Sequence, residues 1–94
     1  MPDELEQAQR EVVISNRQGL HARPVMKFVD LAMQYPCEIC VINGQQRADG
    51  KSPMEMMLLV GVPGTRLTLH ARGPRSAAAV DALGQLIDSR FGED

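Results

Sequence analysis

The feature that most constrains the fold is the junction at residues 19–24, Gly-Leu-His-Ala-Arg-Pro, where an extended segment meets a helix. Before it, residues 11–16 have the β-branched content of a strand. After it, apolar residues recur at helical spacing, at Val25, Phe28, Val29 and Ala32. Pro24 fits the first helical turn, because its missing N–H would have no intrahelical acceptor there. The helix therefore begins close to His21.

His21 is predicted to lie in an anion-binding site. A helix N-terminus carries about half a positive charge and several unpaired amides. A phosphate on His21 would meet those amides and the Arg23 guanidinium, and Gly19 lets the backbone approach closely. A lone histidine near a helix start is more often a surface residue, but these neighbours favour a functional one. The chemistry indicated is phosphoryl transfer through a histidine, whose neutral ring keeps one nucleophilic nitrogen at cellular pH.

The hexapeptide at residues 19–24, followed by Gly50-Lys51-Ser52 and a methionine-rich helix, resembles HPr. HPr proteins are the histidine-containing phosphocarriers of the bacterial phosphotransferase system, and the resemblance spans about residues 11–91. It implies a carrier without a cofactor, not an enzyme, in a system whose branches include sugar transport. The acidic N-terminus separately predicts a cytoplasmic protein. In that family, enzyme I passes a phosphoryl group to the ring nitrogen Nδ1, here of His21, and an EIIA-type domain receives it.

The resemblance also assigns roles around the histidine. Arg23 is expected to hold the phosphoryl oxygens. Gly19, Ala22 and Pro24 are expected to shape the phosphate-binding turn. The second histidine, His70, is expected on the solvent face of a strand without such a role.

Ser52 is predicted first as a helix cap. The run Ser52-Pro53-Met54-Glu55 has the form of a capping box, in which Glu55 reaches back to the Ser52 amide. By resemblance Ser52 is also the serine that HPr kinase/phosphorylase modifies in many bacteria. The chain departs from the family pattern at Pro53, where a larger aliphatic residue is usual, and at Glu55, where glycine is usual. A phosphoserine beside Glu55 would be partly repelled by that carboxylate.

The methionines of the short helix are predicted to divide between core and surface. Met56 is expected to fill the core. The family pattern places Met54 and Met57 outward, on a partner-docking surface beside His21. That surface is completed by Met26, Lys27 and Lys51.

The predicted order of elements is βαββαβα. Strands are expected at about 11–16, 38–43, 46–50 and 66–71, and helices at about 22–34, 53–59 and 76–90. The dipeptide Asn43-Gly44 indicates a hairpin between the second and third strands. Strands with one apolar face favour an open-faced α/β (α+β) sandwich. The HPr resemblance makes it a four-stranded antiparallel sheet with three helices on one face. Residues 1–10 are predicted to be a flexible acidic extension and 11–91 a single domain.

Composition excludes several functions. A net charge of −2 argues against nucleic-acid binding, and the chain has no apolar run long enough for a membrane span. It is expected to be a monomer.

Cys37 and Cys40 are predicted to be packing thiols, because the second lies in a strand and cytosolic disulfides are rare. A metal site that adds His21 and His70 to them would have poor spacing.

Two alternatives to the phosphocarrier come from other classes of protein. The first is a regulatory module of the same fold, controlled by Ser52 phosphorylation and not involved in sugar transport. The second is a small effector-binding domain, which would need a pocket that the sequence does not indicate. The sequence does not distinguish a sugar branch from a nitrogen-related or purely regulatory branch of the system.

Overall fold

A computed structural model describes residues 6–93, which form one four-stranded antiparallel sheet with helices packed on one face. The strands are β1 (Gln7–Val13), β2 (Glu38–Asn43), β3 (Gln46–Asp49) and β4 (Arg66–Arg72). The helices are α1 (Ala22–Ala32), α2 (Pro53–Met57) and α3 (Ser76–Asp88), and a 3-10 turn follows at Arg90–Gly92. The spatial order of the strands is β1-β4-β2-β3. The predicted order βαββαβα and the open-faced architecture are confirmed.

The core lies between the sheet and the helices, as the alternation along β4 shows. Leu67, Leu69 and Ala71 are buried, whereas the residues between them are half-buried on the other face. The inner face of α1 contributes residues at helical spacing, namely Pro24, Val25, Phe28, Val29 and Ala32. The sheet therefore has one dry face and one face open to water.

The first strand begins earlier than predicted. β1 starts at Gln7, so residues 7–10, predicted to belong to a flexible extension, pair with β4. The sequence did not predict this part of the strand because its residues are mostly polar, and among residues 7–10 only Ala8 packs against the hydrophobic core. Arg10 forms an ion pair with Asp88 across β1 and α3. Residues 1–5, the rest of the predicted extension, lie outside the described residues.

The hairpin lies where it was predicted, whereas the last helix is shorter than predicted. Asn43 pairs with Gln46, so the two-residue loop is residues 44–45, as the predicted strands at 38–43 and 46–50 require. Gly44 supplies the positive φ of that loop, at 62°. The last helix ends at Asp88, because the chain turns into left-handed conformation at Arg90 and Phe91. That turn buries the Phe91 side chain.

The two cysteines lie on different sides of the sheet. Cys37 is buried just before β2, and burial raises the pKa of its thiol. Cys40 is half-buried and pairs across the open face with His70. Both thiols are free, and Cys37 packs in the core as predicted, whereas Cys40 does not belong to the core. Within residues 6–93, no cluster of three or more His, Cys, Asp or Glu side chains is placed to hold a metal ion.

Candidate phosphorylation site

His21 occupies the N-cap position of α1, as the sequence predicts. Its backbone is extended (φ −92°, ψ −173°), and its carbonyl accepts the first helical hydrogen bond from the Val25 amide at 3.1 Å. Ala22 and Arg23 are therefore the first two helical residues, and their amides have no acceptor within the helix. Pro24 follows in the same turn, buried under the site. This geometry directs the positive end of α1 toward any group held at His21.

Gly19 sets the turn that presents the histidine. It has a φ of 68°, which costs other residues about 1 kcal/mol or more. A Cβ at this position would overlap the Gly61 carbonyl oxygen and approach the Val62 Cα to 3.1 Å. The close approach allows the Leu20 amide to donate to that same carbonyl at 2.7 Å. The glycine is thus required both for the turn and for docking against the 61–62 loop.

The His21 side chain opens into a shallow cleft of about 350 Å³. The cleft is lined by Arg17, Gln18, His21, Arg23 and Glu93. About a third of the His21 side chain is exposed to solvent, at 32%. Two arginines and a helix N-terminus face one accessible imidazole, which is a suitable environment for a dianionic phosphoryl group.

Glu93 is the main contact that the sequence analysis missed. Its Oε1 lies 3.0 Å from His21 Nε2 and also accepts a hydrogen bond from Asn16 Nδ2 at 2.9 Å. These two contacts hold the pKa of the Glu93 carboxyl below its usual range, His21 being the larger cause. Asn16 is fully buried and donates its other side-chain N–H to the Gly19 carbonyl at 2.8 Å. Neither Asn16 nor Glu93 belongs to a recognisable sequence motif. The only local signal was the dipeptide Phe91-Gly92, in which an apolar residue followed by glycine indicates a turn that packs against the core.

The Ser52 cap forms, but the capping box is incomplete. Ser52 Oγ accepts the Glu55 amide at 3.2 Å, as predicted. The Glu55 carboxylate does not bind the Ser52 amide as expected; it accepts the Asp49 amide at 2.9 Å. The Ser52 amide instead donates to the Asp49 carbonyl at 3.0 Å. The tight turn at residues 49–52 satisfies the Ser52 amide locally, which frees Glu55 to bridge back to β3.

The predicted docking residues differ in exposure and contacts. Met54 is 76% exposed, Met26 45% and Met57 44%, whereas Met56 is buried as predicted. We call Met26, Met54 and Met57 the methionine surface; it spans α1 and α2, which pack against each other. Two lysines that were predicted beside it make internal contacts: Lys27 Nζ donates to the Phe91 carbonyl and Lys51 Nζ to the Tyr35 carbonyl, each at 2.7 Å.

His70 lies on the open face of the sheet, away from the core. Its Nε2 is 3.0 Å from Gln7 Oε1. The side chain alternates with buried neighbours, as predicted.

No described helix is long and apolar enough to cross a membrane.

Comparisons with known proteins agree with this architecture. Residues 8–89 match the family model of the phosphotransferase-system HPr component phosphorylation site. The chain is 45% identical over 84 residues to the phosphocarrier protein HPr of Pseudomonas aeruginosa, covering 88% of this chain and 93% of that protein. It is 35% identical over 85 residues to the phosphocarrier protein NPr of Shewanella violacea, covering 90% and 93%.

The structure is also similar to a solved member. It superposes on the crystal structure of HPr-C-His from Thermoanaerobacter tengcongensis with a TM-score of 0.89 and 36% sequence identity, covering 93% of this chain and 98% of that chain. The matched residues include both the helix that His21 caps and the Ser52 turn. With the sequence match and the fold in agreement, the chain belongs to the HPr family of phosphocarrier proteins, which are carriers and not enzymes.

Proposed function

We propose that His21 is the phosphoryl acceptor of this phosphocarrier, and that it receives the group from enzyme I and passes it to an EIIA-type domain. The observation that carries the proposal is the position of an accessible imidazole at the N-cap of α1, in a cleft lined by two arginines. Accessibility matters because the donor and acceptor proteins must each reach the same ring in turn.

The transfer step needs no bound cofactor. The lone pair of a ring nitrogen attacks phosphorus, the new N–P bond forms, and the bond to the donor breaks with its electron pair returning to the donor. The protein contributes position and charge. The Ala22 and Arg23 amides begin α1, and Arg23 lines the cleft. In this proposal they stabilise the phosphoryl oxygens during transfer and in the phosphorylated carrier.

The experiment is a transfer assay with labelled phosphoenolpyruvate and enzyme I. Wild-type protein should acquire acid-labile label, and His21→Ala should acquire none while keeping its far-UV circular dichroism. His70→Ala is the matched control, because the chain has only these two histidines. Label that survives in His21→Ala would refute the assignment.

We further propose that the methionine surface docks successive partners. Methionine is flexible and polarisable, so one patch can pack against different apolar surfaces. The exposure of Met54 is unusual for a large apolar side chain and supports an interaction role. Small interfaces of this kind release quickly, as a carrier requires.

Regulation through Ser52 is proposed as a second property of the same chain. Ser52 is half-buried, and its hydroxyl caps the helix that carries Met54 and Met57. A phosphate there would add about two negative charges next to the methionine surface. HPr kinase/phosphorylase is the proposed modifying enzyme. The acceptor is to be assayed with EIIA-type domains of both the sugar-transport branch and the nitrogen-related branch, because the relatives include proteins of two names, HPr and NPr.

A further inference from the structure

The C-terminal segment returns to the phosphorylation site along a defined path. After α3, the backbone is left-handed at three successive residues, Arg90, Phe91 and Gly92, with φ values of 59°, 57° and 74°. Two of these are not glycine, and such conformations persist only where the surroundings enforce them. The burial of Phe91 and the hydrogen bond from Lys27 Nζ to its carbonyl provide that enforcement.

Glu93, the next residue, is held from two directions. Its side chain is only 18% exposed. Asn16 Nδ2 donates to Oε1 from the buried side, and Asn16 is itself fixed by its bond to the Gly19 carbonyl. Asn16 is fully buried, and its side-chain amide nitrogen makes both of these contacts. These contacts fix the position of Glu93 Oε1, which lies 3.0 Å from His21 Nε2.

We propose that Asn16 and Glu93 form a positioning pair that orients the His21 ring for phosphoryl transfer through Nδ1. The proposal rests on the proposed role of His21. The carboxylate accepts the Nε2–H, which fixes the neutral tautomer whose Nδ1 carries the free lone pair. When Nδ1 bonds to phosphorus, the ring gains positive charge, and Glu93 stabilises that charge through Nε2–H. No proton leaves the ring in this step.

In this arrangement the Glu93 carboxylate binds Nε2 of the His21 ring and so orients the other nitrogen, Nδ1, for reaction. Glu93 touches no phosphoryl oxygen in this arrangement, because it lies at the opposite nitrogen. In metal sites, losing the carboxylate partner of a histidine costs about 10-fold to 100-fold in activity, and we expect a loss of the same order here.

The chain provides an internal control for the contact. His70 Nε2 lies 3.0 Å from Gln7 Oε1, the same distance as the His21 contact but to a neutral amide. Glu93→Gln therefore converts the His21 contact into the kind that His70 already makes. Glu93→Ala removes the acceptor altogether. Glu38→Gln, at an exposed position on the open face, controls for the loss of one negative charge.

The first measurement is nitrogen-15 NMR of both imidazoles in the unphosphorylated full-length protein. The wild type should show a His21 Nε2–H proton that exchanges slowly with water. Glu93→Ala should lose that signal, Asn16→Ala should weaken it, and the His70 signals should not move. A His21 Nε2–H signal that is unchanged in Glu93→Ala would overturn the proposal.

The second measurement is the single-turnover rate of phosphoryl transfer from enzyme I. Glu93→Ala should be slower by about 10-fold to 100-fold, Glu93→Gln should lie between it and the wild type, and Glu38→Gln should match the wild type. A wild-type rate in Glu93→Ala overturns the positioning role. If the wild type itself takes no label on His21, the proposed carrier function fails, whereas the NMR experiment still tests the Glu93 contact.

Discussion

Replacing Gly19 by alanine tests whether the turn before His21 is fixed by local geometry or by its contact with the 61–62 loop. The φ of 68° costs alanine about 1 to 2 kcal/mol. The new Cβ would also overlap the Gly61 carbonyl oxygen, and relieving such a contact in a packed site costs about 1 to 3 kcal/mol. If the backbone moves apart, the hydrogen bond from the Leu20 amide, now 2.7 Å, is weakened instead. We expect a total loss of about 3 kcal/mol.

Gly44→Ala is the matched control. Its φ of 62° is nearly the same, but nothing lies within 4 Å of the position a Cβ would take. The backbone term alone predicts a loss of about 1 kcal/mol. The difference between the two variants, about 2 kcal/mol, therefore isolates the contact with the 61–62 loop. For a domain of this size that difference corresponds to about 8 to 16 °C in melting temperature.

The assay is urea unfolding followed by far-UV circular dichroism, because the chain has no tryptophan. Transfer from enzyme I is measured on the same samples under native conditions. Gly19→Ala should slow transfer as well as destabilise, since His21 moves with the turn, whereas Gly44→Ala should leave transfer unchanged. Equal losses of unfolding free energy in Gly19→Ala and Gly44→Ala would refute the reasoning.

Three further outcomes are expected. Arg23→Ala should slow transfer to His21 by about 10-fold to 1000-fold with little change in melting temperature, as measured by single-turnover labelling. Replacing Met54 and Met57 together by serine should weaken enzyme I binding, measured by titration calorimetry, without lowering stability, because both side chains are exposed. The lowered pKa of Glu93 means that its contribution to stability is present at neutral pH and lost as the pH falls through that lowered pKa; Glu93→Gln should lack this acid dependence in urea titrations.

The sequence predicted the helix-capping histidine because the signals there are local. A strand pattern, a glycine, a proline and an amphipathic helix lie within one short stretch, so propensity and periodicity agree on where α1 begins. The Ser52 cap was predicted for the same reason. In both places the backbone geometry depends mainly on neighbours in sequence.

Glu93 and Asn16 could not be predicted in this way. They are separated by 77 residues and meet only because α3 packs across β1 and a left-handed turn redirects the chain. Such turns at non-glycine residues are set by tertiary packing, here of Phe91, and have weak local signatures. The early start of β1 was missed for a related reason: a polar edge strand is specified by its partner, β4, more than by its own residues.

The last prediction concerns Ser52, where the observed geometry sharpens the expected effect of charge. The Glu55 carboxylate accepts the Asp49 amide, and the Asp49 carboxylate accepts the Lys51 amide. A negative group at position 52 would therefore be added to a turn that already holds two acidic side chains. The favourable term is the positive end of a helix of only five residues. We therefore expect little net change in stability from added charge and a larger effect on docking, because enzyme I would have to cover that charge beside the methionine surface.

Ser52→Asp and Ser52→Asn separate charge from shape. Asparagine and aspartate cap helices about as well as serine, so both variants should unfold within about 0.5 kcal/mol of the wild type. Ser52→Ala should lose about 1 kcal/mol with normal transfer, because it removes the acceptor for the Glu55 amide. Only Ser52→Asp should slow labelling of His21 by enzyme I, and raising the salt concentration should restore part of the rate. Equal labelling rates for the aspartate and asparagine variants would show that charge at position 52 does not affect docking of enzyme I. Ser52 would then act only as a helix cap.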